Sequence, residues 1–352
     1  MERALVDLVG SLHSEVSLVI LSGGKGEHIS SSVATELLDA PSGWKGRLRA
    51  IRGLRRAILS RNSDRVVAVG IWAYIPCALA LVGTRRRVVL WEHSILPWRL
   101  RNELRVLLAA FALRALAHRC EKVISVSRTS ERATRMLVWP FARTVTIPNI
   151  VDPVQHDKLE IDLAASQTVN IVGIGSLCLR KNWALAIEAM PYLPEDFVLK
   201  IAGDGPERNS LETLIDGLGL GSRVELLGYV QDVTSLLKSA SVIVHPSHAE
   251  TFGFALVEAA EFQVPMVALN KPVMNEMIPE AVPGCCVNPG DPRVFAEGIE
   301  VMVARPPSFE QVSDARQYRA SWFASASVTE MWSDAIDLEP SYGMSETQSG
   351  AN

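Results

Sequence analysis

Two acids, Glu250 and Glu258, stand eight residues apart around Gly253. Such a spacing could give a catalytic pair of carboxylates, or two acceptors for the hydroxyls of a ligand. The plain alternatives are a helix-capping Glu250 and a salt-bridged Glu258. Val242-Ile243-Val244 reads as a buried strand, His245-Pro246-Ser247 ends it, and an apolar helix begins near Phe254. The acids therefore lie past the C-terminal end of a strand, where ligands bind in open α/β sheets. The first N–H groups of a helix and its positive end suit a phosphate at such a place.

Other residues of chemical interest also follow strands. Val169 to Ile174 leads into Gly175-Ser176-Leu177-Cys178-Leu179-Arg180-Lys181-Asn182. Phe197 to Ala202 ends in Gly203-Asp204-Gly205-Pro206, and Val224 to Leu227 ends in Gly228-Tyr229. Val88 to Trp91 is followed by Glu92-His93-Ser94. A lone histidine is usually structural, but His93 sits where sites are built. Ser22-Gly23-Gly24-Lys25-Gly26 also follows a strand. Its spacing matches neither phosphate-loop pattern, and an ordinary loop is the stronger reading.

These elements imply a chain of alternating strands and helices. The expected fold is α/β, with two doubly wound domains. The boundaries fall at 1–150, at 151–322 after an acidic connection over 150–167, at a C-terminal helix over 323–340 that could cross back to the first domain, and at a disordered tail over 341–352. The strand and helix patterns include a helix over Met1 to Leu12, a strand over Val16 to Leu21 and a last helix over Trp322 to Leu338.

Composition narrows the classes. The chain has 352 residues, 48% of them hydrophobic, enough for about two full-sized cores. Its five cysteines are scattered without zinc or redox spacing, as in a reducing compartment. Val66 to Thr84 is long enough and uncharged enough for a membrane span, but Gly70 and Pro76 divide it into a strand and a helix. The net charge of −4 conceals an asymmetry. Residues 1–150 hold 23 Lys+Arg against 11 Asp+Glu, and residues 151–352 hold 12 against 28. Lys45 to Arg65 is dense in arginine at helical spacing. The base case is a solvated basic face; the sharper one is a helix against anionic lipid. Nucleic acid is the least fitting partner, because no aromatic residues interleave with the basic ones.

In order along the chain stand Val126-Ser127 after a strand, Ile147-Pro148-Asn149, Arg180-Lys181-Asn182, Ile201-Ala202-Gly203-Asp204-Gly205-Pro206, His245-Pro246-Ser247, and Glu250 to Glu258 with Phe252-Gly253 inside. This ordered set, from about Glu92 to Glu276, resembles the retaining group 1 (family 4) glycosyltransferases of the GT-B fold. That resemblance implies two Rossmann-like domains facing across a cleft. The second would bind a nucleotide sugar, and the first a glycan acceptor. It implies donor-binding roles for Ser176, Arg180, Lys181, Gly203, Tyr229, Glu250, Phe252, Gly253, Glu258 and the N–H groups of Phe254, Ala255 and Leu256. The reaction would rest on His93, Lys181 and Glu250, with no metal and no cofactor. Retention in this family is described as a front-face reaction in which the leaving phosphate takes the acceptor proton.

Three departures stand out. Ser176 replaces the family's arginine, a charge Arg180 could supply. The glycine pair before Glu276 is missing, which leaves donor-sugar contacts there open. The family's opening strand and glycine loop, ahead of the Met1 to Leu12 helix, are also missing, so the expectation is a start further upstream or a truncated form. The implied enzyme builds cell-surface polysaccharide or glycolipid on an acceptor that the basic first half suggests is lipid-linked. It would be cytoplasmic, peripheral on the inner membrane face. The alternatives are a sugar-nucleotide epimerase of similar architecture and a non-catalytic nucleotide-sugar-binding protein.

Overall fold

The structure is a computed structural model that describes residues 2–11, 17–22, 34–39, 44–61, 65–93, 104–151, 168–278, 283–288, 290–305 and 308–336. The loop over 23–26, the connection over 152–167 and the tail over 341–352 lie outside the described residues.

The second domain is built on β7 (Val169–Ile174), β8 (Phe197–Ala202), β9 (Val224–Gly228), β10 (Val242–His245), β11 (Met266–Leu269) and β12 (Gly284–Val287). They form one parallel sheet in the order β12-β11-β10-β7-β8-β9. Chain order thus runs outward from β7 in one direction and then, from β10, in the other. The two strands lie side by side, with Val242 opposite Ile171 and Ile243 opposite Val172. Their diverging connections leave a crevice at the C-terminal strand ends, the topological switch point of a doubly wound sheet. β10 and β11 are buried at every position, as expected for parallel strands covered on both faces.

The first domain has β3 (Val67–Val69), β4 (Val88–Glu92), β5 (Cys120–Ser125) and β6 (Arg143–Thr146) in a parallel sheet of that order. β1 (Ser17–Ser22) and β2 (Ala34–Asp39) pair in parallel as a separate sheet. Alternation along β4 divides two cores. Val88 and Leu90 join Leu54, Tyr74, Leu113 and Val123 beneath the helices Trp44–Ser60, Ile71–Ala80, Leu104–Leu116 and Arg128–Val138. Val89 and Trp91 join Leu8, Ile124 and Trp332 on the other face. The uncharged run over 66–84 divides at Gly70 into β3 and the helix Ile71–Ala80. Among the described residues no helix is long and apolar enough to cross a membrane.

Part of the arginine excess is structural. Arg55 donates to the carbonyls of Ala80 (2.6 Å) and Val82 (2.8 Å) at the end of one helix, and Arg86 donates to Ile58 (3.0 Å) at the end of another. Cations there satisfy orphan carbonyls and oppose the negative helix end.

The end of the chain differs from the single expected helix. Two helices, Phe309–Phe323 and Ser325–Ala335, meet at Ala324, which is extended (ψ 145°). The first is started by a capping box between Ser308 and Gln311. The second lies on the first-domain sheet. Its Trp332 meets Trp91 edge-on at 4.9 Å, and its last carbonyls accept from Lys122 and Arg65. Trp332 is 2% exposed. We predict that Trp332→Ala costs about 3–5 kcal/mol through lost burial and a residual cavity. Denaturant unfolding checks this; a midpoint like that of the parent would mean that the contact adds nothing.

Candidate active site at the switch point

Four groups converge on one oxygen of Glu250. Lys181 Nζ lies 2.6 Å from Oε1, Arg180 Nη1 lies 3.0 Å away, and Ser247 Oγ donates to it at 3.2 Å. His245 Nε2 is 3.3 Å from the same atom, though neither ring nitrogen makes an aligned hydrogen bond. The two loops involved leave the adjacent strands β7 and β10, so the switch point itself brings cations and carboxylate together.

Local structure fixes each partner. Asn182 takes the left-handed conformation (φ 55°) ahead of the helix Trp183–Ala189, and its side chain donates to Pro246 O at 3.2 Å. Arg180 also donates to Ala249 O at 2.9 Å, and its own carbonyl accepts from His248 N at 2.9 Å. The β7 and β10 loops are thereby tied together by backbone as well as charge. Gly203 is required by close approach: a Cβ there would lie 2.0 Å from Gly175 O, with φ at +151°. This lets the Gly203-Asp204-Gly205 loop seat against Gly175 to Leu177, with Leu177 N donating to Asp204 O at 3.0 Å.

Burial alone would raise the Glu250 carboxyl. The approach of His245 and the charges of Lys181 and Arg180 overcome it and hold the group well below the usual carboxylate range. Burial, reinforced by Lys181, lowers His245, which stays neutral. All four contacts fall on Oε1. Among the described residues no donor meets Oε2, so one oxygen of a fixed, ionised carboxylate remains to accept from a ligand.

Gly253 (φ 82°) begins the helix Phe254–Glu261, which carries the half-buried Glu258. Two sequence expectations change here. Phe252 is 2% exposed, its ring edge-on to Phe254 (5.0 Å) and Phe323 (5.6 Å). Its side chain anchors the loop in the core and presents no ring to a ligand. The N–H of Leu256 already donates to Gly253 O at 2.9 Å, so it is not a free phosphate donor. Ser176 and Tyr229 stand exposed past β7 and β9. Among the described residues no three His, Cys, Asp or Glu side chains converge on a metal position.

His93 follows β4 of the first domain. Burial pushes its imidazole down to about 3, its ring lies 4.4 Å from that of Trp91, and its Nε2 has no hydrogen-bond partner. No hydrogen bond or ion pair joins it to the Glu250 cluster. The domains meet instead through Glu276. Its Oε1 accepts from Arg128 N (2.6 Å), and its Oε2 accepts from Thr129 N and Thr129 Oγ1 (both 3.1 Å). With Ser127 Oγ accepting from Ser130 N at 3.1 Å, the first three N–H groups of the helix Arg128–Val138 are satisfied. Glu276 is thus a cap supplied across the domain junction. His245, Ser247 and Asn182 were legible only as motif letters; the signal for the first two is their place at the end of the buried strand β10, and no local pattern marks Asn182.

Residues 1–155 match the family described as Glycosyltransferase Family 4, and residues 158–319 match Glycosyl transferases group 1. The chain is a glycosyltransferase of the GT-B fold. Its two parallel-sheet domains face each other across the cleft that Glu276 bridges. Among curated proteins, an uncharacterized glycosyltransferase of Haemophilus influenzae is 23% identical over 79% of this chain and 78% of its own. A Campylobacter jejuni α-1,4-N-acetyl-D-galactosaminyltransferase acting on a GalNAc-containing PP-undecaprenol glycan is 25% identical over 94% of this chain and 93% of its own. Anabaena HepE, solved with UDP and glucose, has the same fold, with a TM-score of 0.79, 20% identity and 96% of each chain covered. The glycosyltransferase thus shares its architecture with that structure along nearly its whole length.

The linkage for Glu250 has a definite sign. A carboxyl lowered by folding adds stability that is complete above its ordinary value of 4.5 and is lost as pH falls below it. Glu250→Gln should therefore flatten the acid limb of the stability profile below about pH 4.5. Lys181→Met, which strands a buried charge beside Arg180 alone, should cost about 3 kcal/mol at neutral pH. Denaturant midpoints from pH 7 to pH 3 measure both; parallel profiles for all three proteins would show that the cluster is not coupled to folding.

Proposed function

We propose that this glycosyltransferase moves a sugar, with retention of its anomeric configuration, from a nucleotide sugar held by the second domain to a lipid-linked glycan facing the first. The observation that carries the donor half is the one-sided clamp on Glu250. Lys181 and Arg180 stand beside a carboxylate whose second oxygen is left for sugar hydroxyls. The same cations lie where the negative charge of a departing nucleoside diphosphate would grow. Gly253 and the helix start after it would receive the phosphates through Phe254 and Ala255, and Glu258 the ribose hydroxyls.

The clamp also argues against Glu250 as a nucleophile, because an ion-paired, weakly basic carboxylate is a poor one. A front-face reaction needs none: the leaving phosphate oxygen takes the acceptor proton as the new glycosidic bond forms on the same face. His93, held neutral, fits a positioning role toward donor and acceptor. The lipid-linked acceptor and a place on the cytoplasmic membrane face draw support from the basic first half and from the undecaprenol-linked glycan of the Campylobacter relative.

Purified protein incubated with a panel of radiolabelled nucleotide sugars and lipid-linked glycans should give a transferred product whose anomeric configuration, read by NMR, equals that of the donor. Lys181→Ala should lower kcat by about 100-fold or more, as loss of a transition-state charge does. An inverted product would remove retention, and undiminished transfer by Lys181→Ala would remove the assigned site.

A further inference from the structure

The outer face of the first domain is unusual for a protein surface bathed only in water. On the helix Leu104–Leu116, Leu107, Leu108 and Phe111 are 52%, 60% and 74% exposed. Next to it Met136, Trp139 and Phe141 are 83%, 61% and 49% exposed. The two groups are one surface. The helices Leu104–Leu116 and Arg128–Val138 pack together. Arg114, one turn after Phe111, donates to Trp139 O at 2.6 Å and lays its guanidinium 5.2 Å over the Phe141 ring. Clustered apolar exposure of this kind marks a docking face.

Charge identifies the occupant. Trp139 and Phe141 overhang an open cavity of about 730 Å³ whose lining includes Arg87, Lys122, Arg135 and Arg143, with Glu121 as its single acid. Of these cations Lys122 is committed to Ala335 O. The nearby Glu131 is turned inward, accepting from Thr144 and Thr146 at 2.8 and 2.6 Å. A layer of apolar and indole side chains bordered by arginines is what the boundary between acyl chains and anionic headgroups accommodates. Among its described side chains the arginine-dense helix Trp44–Ser60 offers exposed Lys45, Arg47, Arg49, Arg52 and Arg56, with Leu48 and Leu59 as exposed large apolar groups.

We propose that the face formed by Leu107, Leu108, Phe111, Met136, Trp139 and Phe141 docks the enzyme on an anionic phospholipid surface, with Arg87, Arg135 and Arg143 receiving lipid phosphates. This rests on the reading of a membrane-borne acceptor and says which side of the molecule meets it. The helix Leu104–Leu116 starts on the side of the sheet where β4 delivers His93 and runs back toward the strand starts, where Arg87 precedes β4 and Arg143 opens β6.

Flotation with phosphatidylglycerol–phosphatidylcholine vesicles at low salt tests the assignment. The parent should float with these vesicles and not with phosphatidylcholine alone. Phe111→Asp/Trp139→Asp, both at exposed positions, should lose about tenfold or more in vesicle binding while keeping its circular dichroism and its nucleotide binding. Unchanged flotation of that variant, with loss in Arg47→Ser/Arg49→Ser/Arg52→Ser/Arg56→Ser, would overturn the placement and leave the membrane reading standing. A parent that never floats would overturn both. A parent dimer that the Asp variant converts to a monomer, with flotation unchanged, would assign the face to a second copy of the chain and overturn the proposal.

Discussion

An ionised carboxylate in a nearly dry crevice must be compensated, and the Glu250 cluster shows how much structure that constraint recruits. Glu250 is 8% exposed, and its compensation comes from Lys181 and Arg180, sixty-nine residues away in sequence at Lys181. The two stretches can meet only because β7 and β10 are neighbours in a doubly wound sheet. Gly175 and Gly203 let the flanking loops close on one another, Asn182 adopts a left-handed turn to bring Lys181 inward, and Pro246 O accepts from Asn182 to hold the second loop. The pattern of letters is thus explained by electrostatics: small residues where backbone must approach, cations where the carboxylate ends, and one oxygen left over.

The second domain is legible in the sequence to a degree that the first is not. Its central strands β10 and β11 are buried at every position and read as short apolar runs closed by Pro or a polar cluster, so their type and strand-end sites follow from the letters, whereas the less buried β12 (Gly284–Val287) leaves no strand signal in the sequence reading. The side-chain roles within those sites are less legible. Phe252 sits in the middle of the Glu250 to Glu258 motif, but its ring belongs to the core with Phe254 and Phe323. No local pattern distinguishes a ring that faces a ligand from one that supports the loop from behind. The helix Phe309–Phe323 has its signal in the letters, with Phe309, Val312, Ala315, Tyr318 and Trp322 at helical spacing behind the Ser308 and Gln311 cap, but the expected last helix over Trp322 to Leu338 begins too late to include it.

The junction between domains is the least legible part. Glu276 caps a helix 148 residues earlier, and Trp332 packs on Trp91 from the far end of the chain. Sequence spacing carries no trace of either contact. The helix capped by Glu276 opens directly after β5, on the side of the first domain where β4 delivers His93. A carboxylate from the second domain at that helix start ties the relative position of the two halves to the short helix Pro272–Met277 after β11.

The proposed role of the second domain's switch point is to hold the diphosphate of a sugar donor through Lys181 and Arg180 beside Glu250. Calorimetric titration of the full chain with UDP, GDP and dTDP tests this. One binding site per chain is expected for at least one of them, weakened about tenfold or more in Arg180→Ala and in Lys181→Ala, as for a lost charge-assisted contact. Tight nucleotide binding that neither substitution alters, in variants that remain folded, would contradict it.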